Sequence, residues 1–276
     1  MERSDLEARL ELFPALLKTT AAGVDLVRGF PAGLVILLYH RVGARTSVRV
    51  DLETSVFRCQ MEELAETKRI LSIDDALAMI AAGDDLSDAA VVTFDDGTKD
   101  FTDLAAPILH DLEVPATIYV ATKFVDEQVD FPDDGEPTSW SELRDVCSSG
   151  LITVGSHTHS HLLLDRADAS HASQDIDRSV GLIENHLEVA PQHFAYPKAL
   201  VATGLVEEVV RSRFRSAVVA GTKANPAHAD VHRLARSPIQ TTDHMVWFRR
   251  KVAGGMGFED RLRQRRNQHR YAGAAT

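Results

Sequence analysis

Three observations predict an α/β protein whose parallel sheet is covered on both faces or closed into a barrel. Strand-length apolar runs alternate with helix-length segments about six times along the chain. The runs are apolar throughout rather than at every second residue, as expected of strands buried on both faces. The length, 276 residues, suits an α/β barrel, which routinely exceeds two hundred residues.

The elements follow in order. Residues 4–28 carry leucine and valine at helical spacing, interrupted by Pro14, and predict an appended helical segment. Gly33 to Tyr39 is a continuous apolar run of strand length. Phe57, Met61 and Leu64 recur at helical spacing, and a second helix is expected over Ile73 to Ala82. Ala89 to Phe94 is the next buried strand, followed by a helix near Thr102–Leu112 and a strand at Ala116–Val120. Residues 126–138 are acidic and carry proline and glycine, which predicts an exposed loop. A helix from Ser141, a strand at Leu151–Gly155 and a helix over 173–187 come next. They are followed by a short strand at His193–Tyr196, a helix at Leu205–Arg213 and a strand at Ser216–Ala220. Three parts result: an N-terminal helical extension (1–32), a barrel (33–240), and a C-terminal helix with a basic tail (241–276).

Composition narrows the class. A net charge of −11 argues against a general nucleic-acid binder, since phosphate binding requires a basic face. The basic cluster around Arg261, Arg263, Arg265 and Arg266 reads as a solvated terminal helix. Cys59 and Cys147 cannot form a disulfide framework and fit a reduced compartment. Met1 to Leu12 alternates charge with leucine and lacks an apolar signal core. Leu34 to Tyr39 is far too short to span a bilayer, which needs about 20 residues. The expectation is a cytoplasmic protein without a transmembrane segment; its oligomeric state is not readable.

Two motifs carry chemistry. Thr93-Phe94-Asp95-Asp96-Gly97 ends one apolar strand, and Ser156-His157-Thr158-His159-Ser160-His161 follows another. In parallel α/β architectures the loops at the C-terminal strand ends form the active site, so both motifs converge on one rim. Histidines spaced i and i+4 share a helical face and can grip one ion. With one carboxylate they form a three-ligand divalent-metal site with an open position, the hallmark of a catalytic metal. His159 is expected to point away. A second carboxylate beside the ligand can collect a proton from attacking water. Alone, an Asp-Asp-Gly is often a plain turn and a His-x-x-x-His a surface pair. The Asp-x-Asp-Gly-Thr loop of aspartate-nucleophile phosphatases fits Asp96-Gly97-Thr98, but its nucleophile would fall on Phe94.

On these residues the chain resembles the polysaccharide deacetylase family, the NodB-homology group of carbohydrate esterase family 4, over roughly residues 33–240. Tyr39-His40-Arg41-Val42, the Phe57/Gln60/Leu64 pattern and Trp140 are also similar to its members. The resemblance implies a distorted (β/α) barrel and metal-dependent hydrolysis of an N- or O-acetyl group, usually on an aminosugar. It further implies Asp95 as general base and Asp96, His157 and His161 as metal ligands. Zinc suits this set best, with cobalt, nickel or manganese acceptable. The expected partner is an acetylated sugar or oligosaccharide. The family's third motif corresponds here to Phe194-Ala195-Tyr196-Pro197-Lys198-Ala199. It lacks the arginine that orients the base, and Lys198 replaces the usual aromatic residue. Tyr196 and Lys198 are candidates for substrate or oxyanion binding, through the Lys198 N–H or its charge. The general acid is unassigned, with His232 and His244 the nearest histidines. An alternative is a catalytically degenerate carbohydrate-binding barrel, and another is a deformylase or cyclic amidase on the same scaffold. With no export signal seen, a small or precursor substrate such as a nucleotide- or lipid-linked sugar is expected.

Overall fold

The computed structural model describes residues 18–23, 25 and 29–260. Ten strands run in chain order: β1 (Val35–Tyr39), β2 (Arg41–Val42), β3 (Asp51–Leu52), β4 (Arg69–Ile70), β5 (Ala89–Phe94), β6 (Ala116–Val120), β7 (Ile152–Ser156), β8 (His193–Ala195), β9 (Ser216–Ala220) and β10 (Leu234–Pro238). The order around the main sheet is β1-β10-β9-β8-β7-β6-β5, all parallel, and β1 also pairs with β5. The sheet therefore closes into a seven-stranded barrel surrounded by helices, as expected from the sequence. The two-residue β4 pairs with the start of β5, outside the closed ring, and β2 pairs with β3 separately.

Apolar runs on both strand faces have a direct structural counterpart. Leu34, Ile36, Ala89, Val91, Tyr119, Ala195, Val218 and Leu234 form one buried cluster joining strands from both halves of the ring, so they fill the barrel interior. The helix Ile73–Ala82 adds Ile73, Ala76, Leu77 and Ile80 to that cluster. The alternate residues Val35, Leu37, Tyr39, Ala90, Val92, Phe94, Ile118 and Val120 pack outward against the surrounding helices. Ser72 caps the helix at 73–82 by accepting from Asp75 N, and Gly83 ends it in the left-handed region at φ 76°.

Several boundaries differ from the expected ones. The helix after β5 opens with a π-helical turn, Phe101–Ala105, before Ala106–Asp111, and the helix expected from 173 begins at Ala169 under an Asp168 cap. β10 is a strand that apolar patterning did not place, because Arg236 and Ser237 interrupt it. The acidic stretch is held rather than free. Arg41 donates to Pro132 O at 2.6 Å and Asp133 O at 2.7 Å, and Thr138 N donates to Gly97 O at 3.0 Å.

Residues 18–23 are helical, so the appended segment is helical where it is described. Buried Lys18 donates to Thr242 O and pairs with Asp243, which also takes Lys251 Nζ at 2.7 Å. Asp25 accepts from Met256 N at 2.7 Å. Segments before and after the barrel are thus tied to each other beside its closing strand. Residues 1–17 and the basic tail from Arg261 lie outside the described residues.

Candidate active site

Asp95 and Asp96 leave β5, and His157 and His161 follow β7, so strand direction alone brings them to one end of the barrel. They line a cavity of about 170 Å³ together with His40, Tyr196, Lys198, Arg236 and Gln240. A larger, mainly apolar depression of about 290 Å³ lies near Leu151 and Ile152, at the opposite end of β7, and contains none of the predicted site residues.

Backbone geometry turns the two aspartates in different directions. Asp95 N donates to Tyr39 O at 3.1 Å, extending the strand by one residue. Asp96 then enters the left-handed region at φ 75° and Gly97 follows at φ 100°. A non-glycine residue there is uncommon and costs energy, a frequent signature of a functional turn.

The histidine pair converges for a different reason from the one expected. Residues 157–161 form no helix; they are an irregular loop with Thr158 at φ 66° and His161 at φ 60°. Two left-handed residues curl the chain so that the rings of His157 and His161 meet, with centroids 5.0 Å apart. The i, i+4 helical-face argument is therefore corrected, while the pairing stands. His159 turns away, as expected, and its Nδ1 lies 3.0 Å from Thr122 Oγ1.

Asp175 holds this loop in place. Its carboxylate accepts from His159 N at 2.7 Å, Ser160 N at 3.1 Å and Ser160 Oγ at 2.6 Å. Replacing Asp175 by Ala is expected to weaken divalent-metal binding by about 10–100-fold, the usual cost of losing support behind a ligand. Calorimetric titration of the metal-free variant with zinc measures it; wild-type affinity would show that the loop holds itself.

Asp96, His157 and His161 have ligand atoms all within 4.8 Å of one another, the only such His, Cys, Asp and Glu grouping among the described residues. Asp96 Oδ1 lies 3.7 Å from both His157 Nε2 and His161 Nε2. His157 Nδ1 sits 2.8 Å from Ala195 O, a pure acceptor, so Nδ1 donates there and Nε2 is the nitrogen that faces the cluster. Burial, with His157 next, pushes His161 down to about 3, so the ring is neutral at ordinary pH. Burial opposes ionisation of Asp96, but His40, His161 and His157 hold it well below the usual carboxylate range. Two imidazoles and a carboxylate are a donor set that fits a divalent ion such as zinc.

Asp95 belongs to another network. Arg236 on β10 grips it with both terminal nitrogens, at 2.6 and 2.7 Å, and reaches Thr93 Oγ1 at 3.2 Å. Both side chains are buried, at 1% and 5% exposure. Burial alone would raise the Asp95 pKa, yet the Arg236 guanidinium outweighs it and the carboxyl stays ionised. The arginine missing from the third motif is thus supplied by another strand. The only sequence signal is an arginine in Leu-Ala-Arg-Ser-Pro-Ile, a segment whose apolar pattern Arg236 and Ser237 interrupt.

The sequence motifs assign no role to His40. The structure places it at the cavity wall, half-buried, with Nδ1 buried and unpartnered among the described residues. Neither His232 nor His244 lines the cavity: His232 Nε2 faces Phe214 O at 2.8 Å, and His244 precedes the helix Met245–Val252. Tyr196 borders the cavity, but its ring packs with Phe194, Ala202, Val206 and Phe214 outside the barrel. Burial, then Glu207, pushes its phenol up to about 12, and the hydroxyl finds no partner among the described residues. Lys198 is exposed at the wall, and it and Ala199 are both left-handed, at φ 54° and 61°.

Comparison with known proteins bears on this arrangement. The sequence model described as polysaccharide deacetylase matches residues 82–215, which span both motifs. YxkH of Bacillus subtilis (strain 168), whose name places it among polysaccharide deacetylases, is 24% identical over 217 residues, covering 75% of this chain and 73% of that protein. Among solved structures, the Streptococcus pyogenes deacetylase PplD in complex with acetate is similar with a TM-score of 0.71 at 17% identity. It covers 80% of this chain and 99% of that one. IcaB from Ammonifex degensii gives a TM-score of 0.70 at 23% identity, covering 82% and 99%.

Proposed function

Because the chain belongs to the polysaccharide deacetylase family, we propose that it hydrolyses an N-acetyl group on a sugar or glycan precursor with the help of one divalent metal ion. The observation that carries this reading is the division of labour between neighbouring aspartates. Asp96 joins two histidines in a ligand set, while Asp95, one residue before it, is held ionised by Arg236.

Asp96, His157 and His161 would hold a divalent ion, which would supply polarisation of an acyl oxygen and a lowered pKa of water. Asp95 then accepts the proton that water gives up as it attacks the acyl carbon. Arg236 keeps that carboxylate fixed and charged. His40, at the same wall, is the group that returns a proton to the departing nitrogen, which fills the role the sequence left unassigned. Lys198 borders the place where charge develops on the acyl oxygen. Tyr196 contributes packing from behind the wall rather than a hydroxyl.

The degenerate, non-catalytic reading drew support from a missing arginine and a missing acid. Arg236, which grips Asp95, and His40 line the cavity that those groups would serve, which favours the catalytic reading. The test is acetate and free-amine release from acetylated glucosamine oligomers and nucleotide-linked acetylated sugars. Release is expected with added zinc or cobalt, to stop on chelation, and to return when metal is restored. Binding without release, or liberation of formate instead of acetate, would overturn the proposal.

A further inference from the structure

The barrel interior below the cavity contains an aromatic residue with no place in the chemistry so far. Tyr119 on β6 is fully buried, and its hydroxyl has no hydrogen-bonding partner among the described residues. A buried hydroxyl left unpaired is costly, so hydrogen bonding does not explain a tyrosine there. Its ring is used instead. The Arg236 guanidinium carbon lies 5.2 Å from the ring centroid, within the range of a cation–π contact.

The neighbouring strand makes room for this arrangement. Gly155 on β7 pairs in register with Tyr119. A Cβ at Gly155 would come within 2.5 Å of Tyr119 Cδ1 and 2.8 Å of His193 O. Since any side chain at 155 collides with the ring, glycine there fixes where the ring can lie. The guanidinium is then bounded on two sides: Asp95 and Thr93 take its hydrogen bonds, and Tyr119 lies against it. An arginine reaching into a barrel has several rotatable bonds, and a bidentate grip on a carboxylate tolerates little misplacement.

We propose that Tyr119, backed by Gly155, is a positioning residue that holds Arg236 in the orientation in which it grips Asp95. The inference rests on the reading of Asp95 as the proton acceptor. Its structural part, the stack itself, can be measured without turnover.

The test compares Tyr119→Met, which keeps bulk and loses the ring, with Tyr119→Phe, which restores the ring and omits the idle hydroxyl. Tyr119→Met is expected to lower kcat about tenfold with KM and bound metal unchanged, and Tyr119→Phe to recover the loss. In an Arg236→Gln background the Met substitution is expected to cost less than twofold, because the group it positions is gone. Equal losses in both backgrounds, or a folded Tyr119→Met variant with full kcat, would overturn the proposal. A second readout applies to the wild-type protein and to Tyr119→Phe even if Tyr119→Met does not fold. Nitrogen-15 NMR should show Arg236 side-chain signals with hindered rotation and ring-current shifts. Freely rotating, unshifted signals would reject the stack. If the wild type releases no acetate from any substrate while the NMR signature is present, the functional reading fails and the stack survives.

Discussion

Substituting Asp95 by Asn is expected to lower kcat by two to four orders of magnitude, the usual contribution of a positioned general base, without loss of bound metal. The amide preserves shape but cannot take the proton from water. The same substitution is expected to destabilise the fold, because Arg236 is 1% exposed and Asp95 is its charge partner. Breaking a buried pair from one side costs about 3–5 kcal/mol. The two effects separate in a double variant. Asp95→Asn with Arg236→Gln removes both charges and is expected to regain most of the stability and none of the turnover. Thermal unfolding, elemental analysis and acetate release on the same samples measure all three quantities. Turnover by the folded Asp95→Asn protein at more than a tenth of the wild-type rate would remove Asp95 from the proton-transfer step.

Substituting His157 by Ala is expected to abolish stoichiometric metal binding, and activity with it. His157 is the most enclosed of the three residues grouped there, with its side chain 2% exposed against 18% for Asp96 and His161. It is also the one whose tautomer is fixed by Ala195 O. Two ligands from Asp96 and His161 remain, below the three protein ligands typical of catalytic zinc. Dialysis against zinc followed by elemental analysis decides the matter, and one metal per chain in the variant would show that the ligand set is wrong. Asp95→Asn loses turnover with metal retained and His157→Ala loses both, so together they distinguish proton acceptor from ligand.

The legibility of the chain follows from where its polar residues sit. Ala89–Phe94, Ala116–Val120 and Ser216–Ala220 were readable to the residue because each is packed on both faces. β10 was not readable. Near the cavity end of a barrel strand, inward positions serve the site instead of the core, so Leu-Ala-Arg-Ser-Pro loses its apolar signature where Arg236 turns inward. The irregular histidine loop misled for a related reason. Spacing of four residues fits a helical face, and nothing local announces that Thr158 and His161 are left-handed.

The amino-acid sequence by itself determined the alternation that makes a barrel, and the two strand-end motifs that supply Asp95, Asp96, His157 and His161. Those are local properties: hydrophobic periodicity and residue order along single segments. Only the tertiary structure decided which arginine holds Asp95, which further histidine faces the cavity, and that Tyr196 turns outward into the helix layer. Each of these depends on contacts between strands far apart in the chain, as Arg236 and Asp95 are, 141 residues from one another. Closing the barrel brings such residues within hydrogen-bonding distance, a relation that no short-range pattern in the chain encodes.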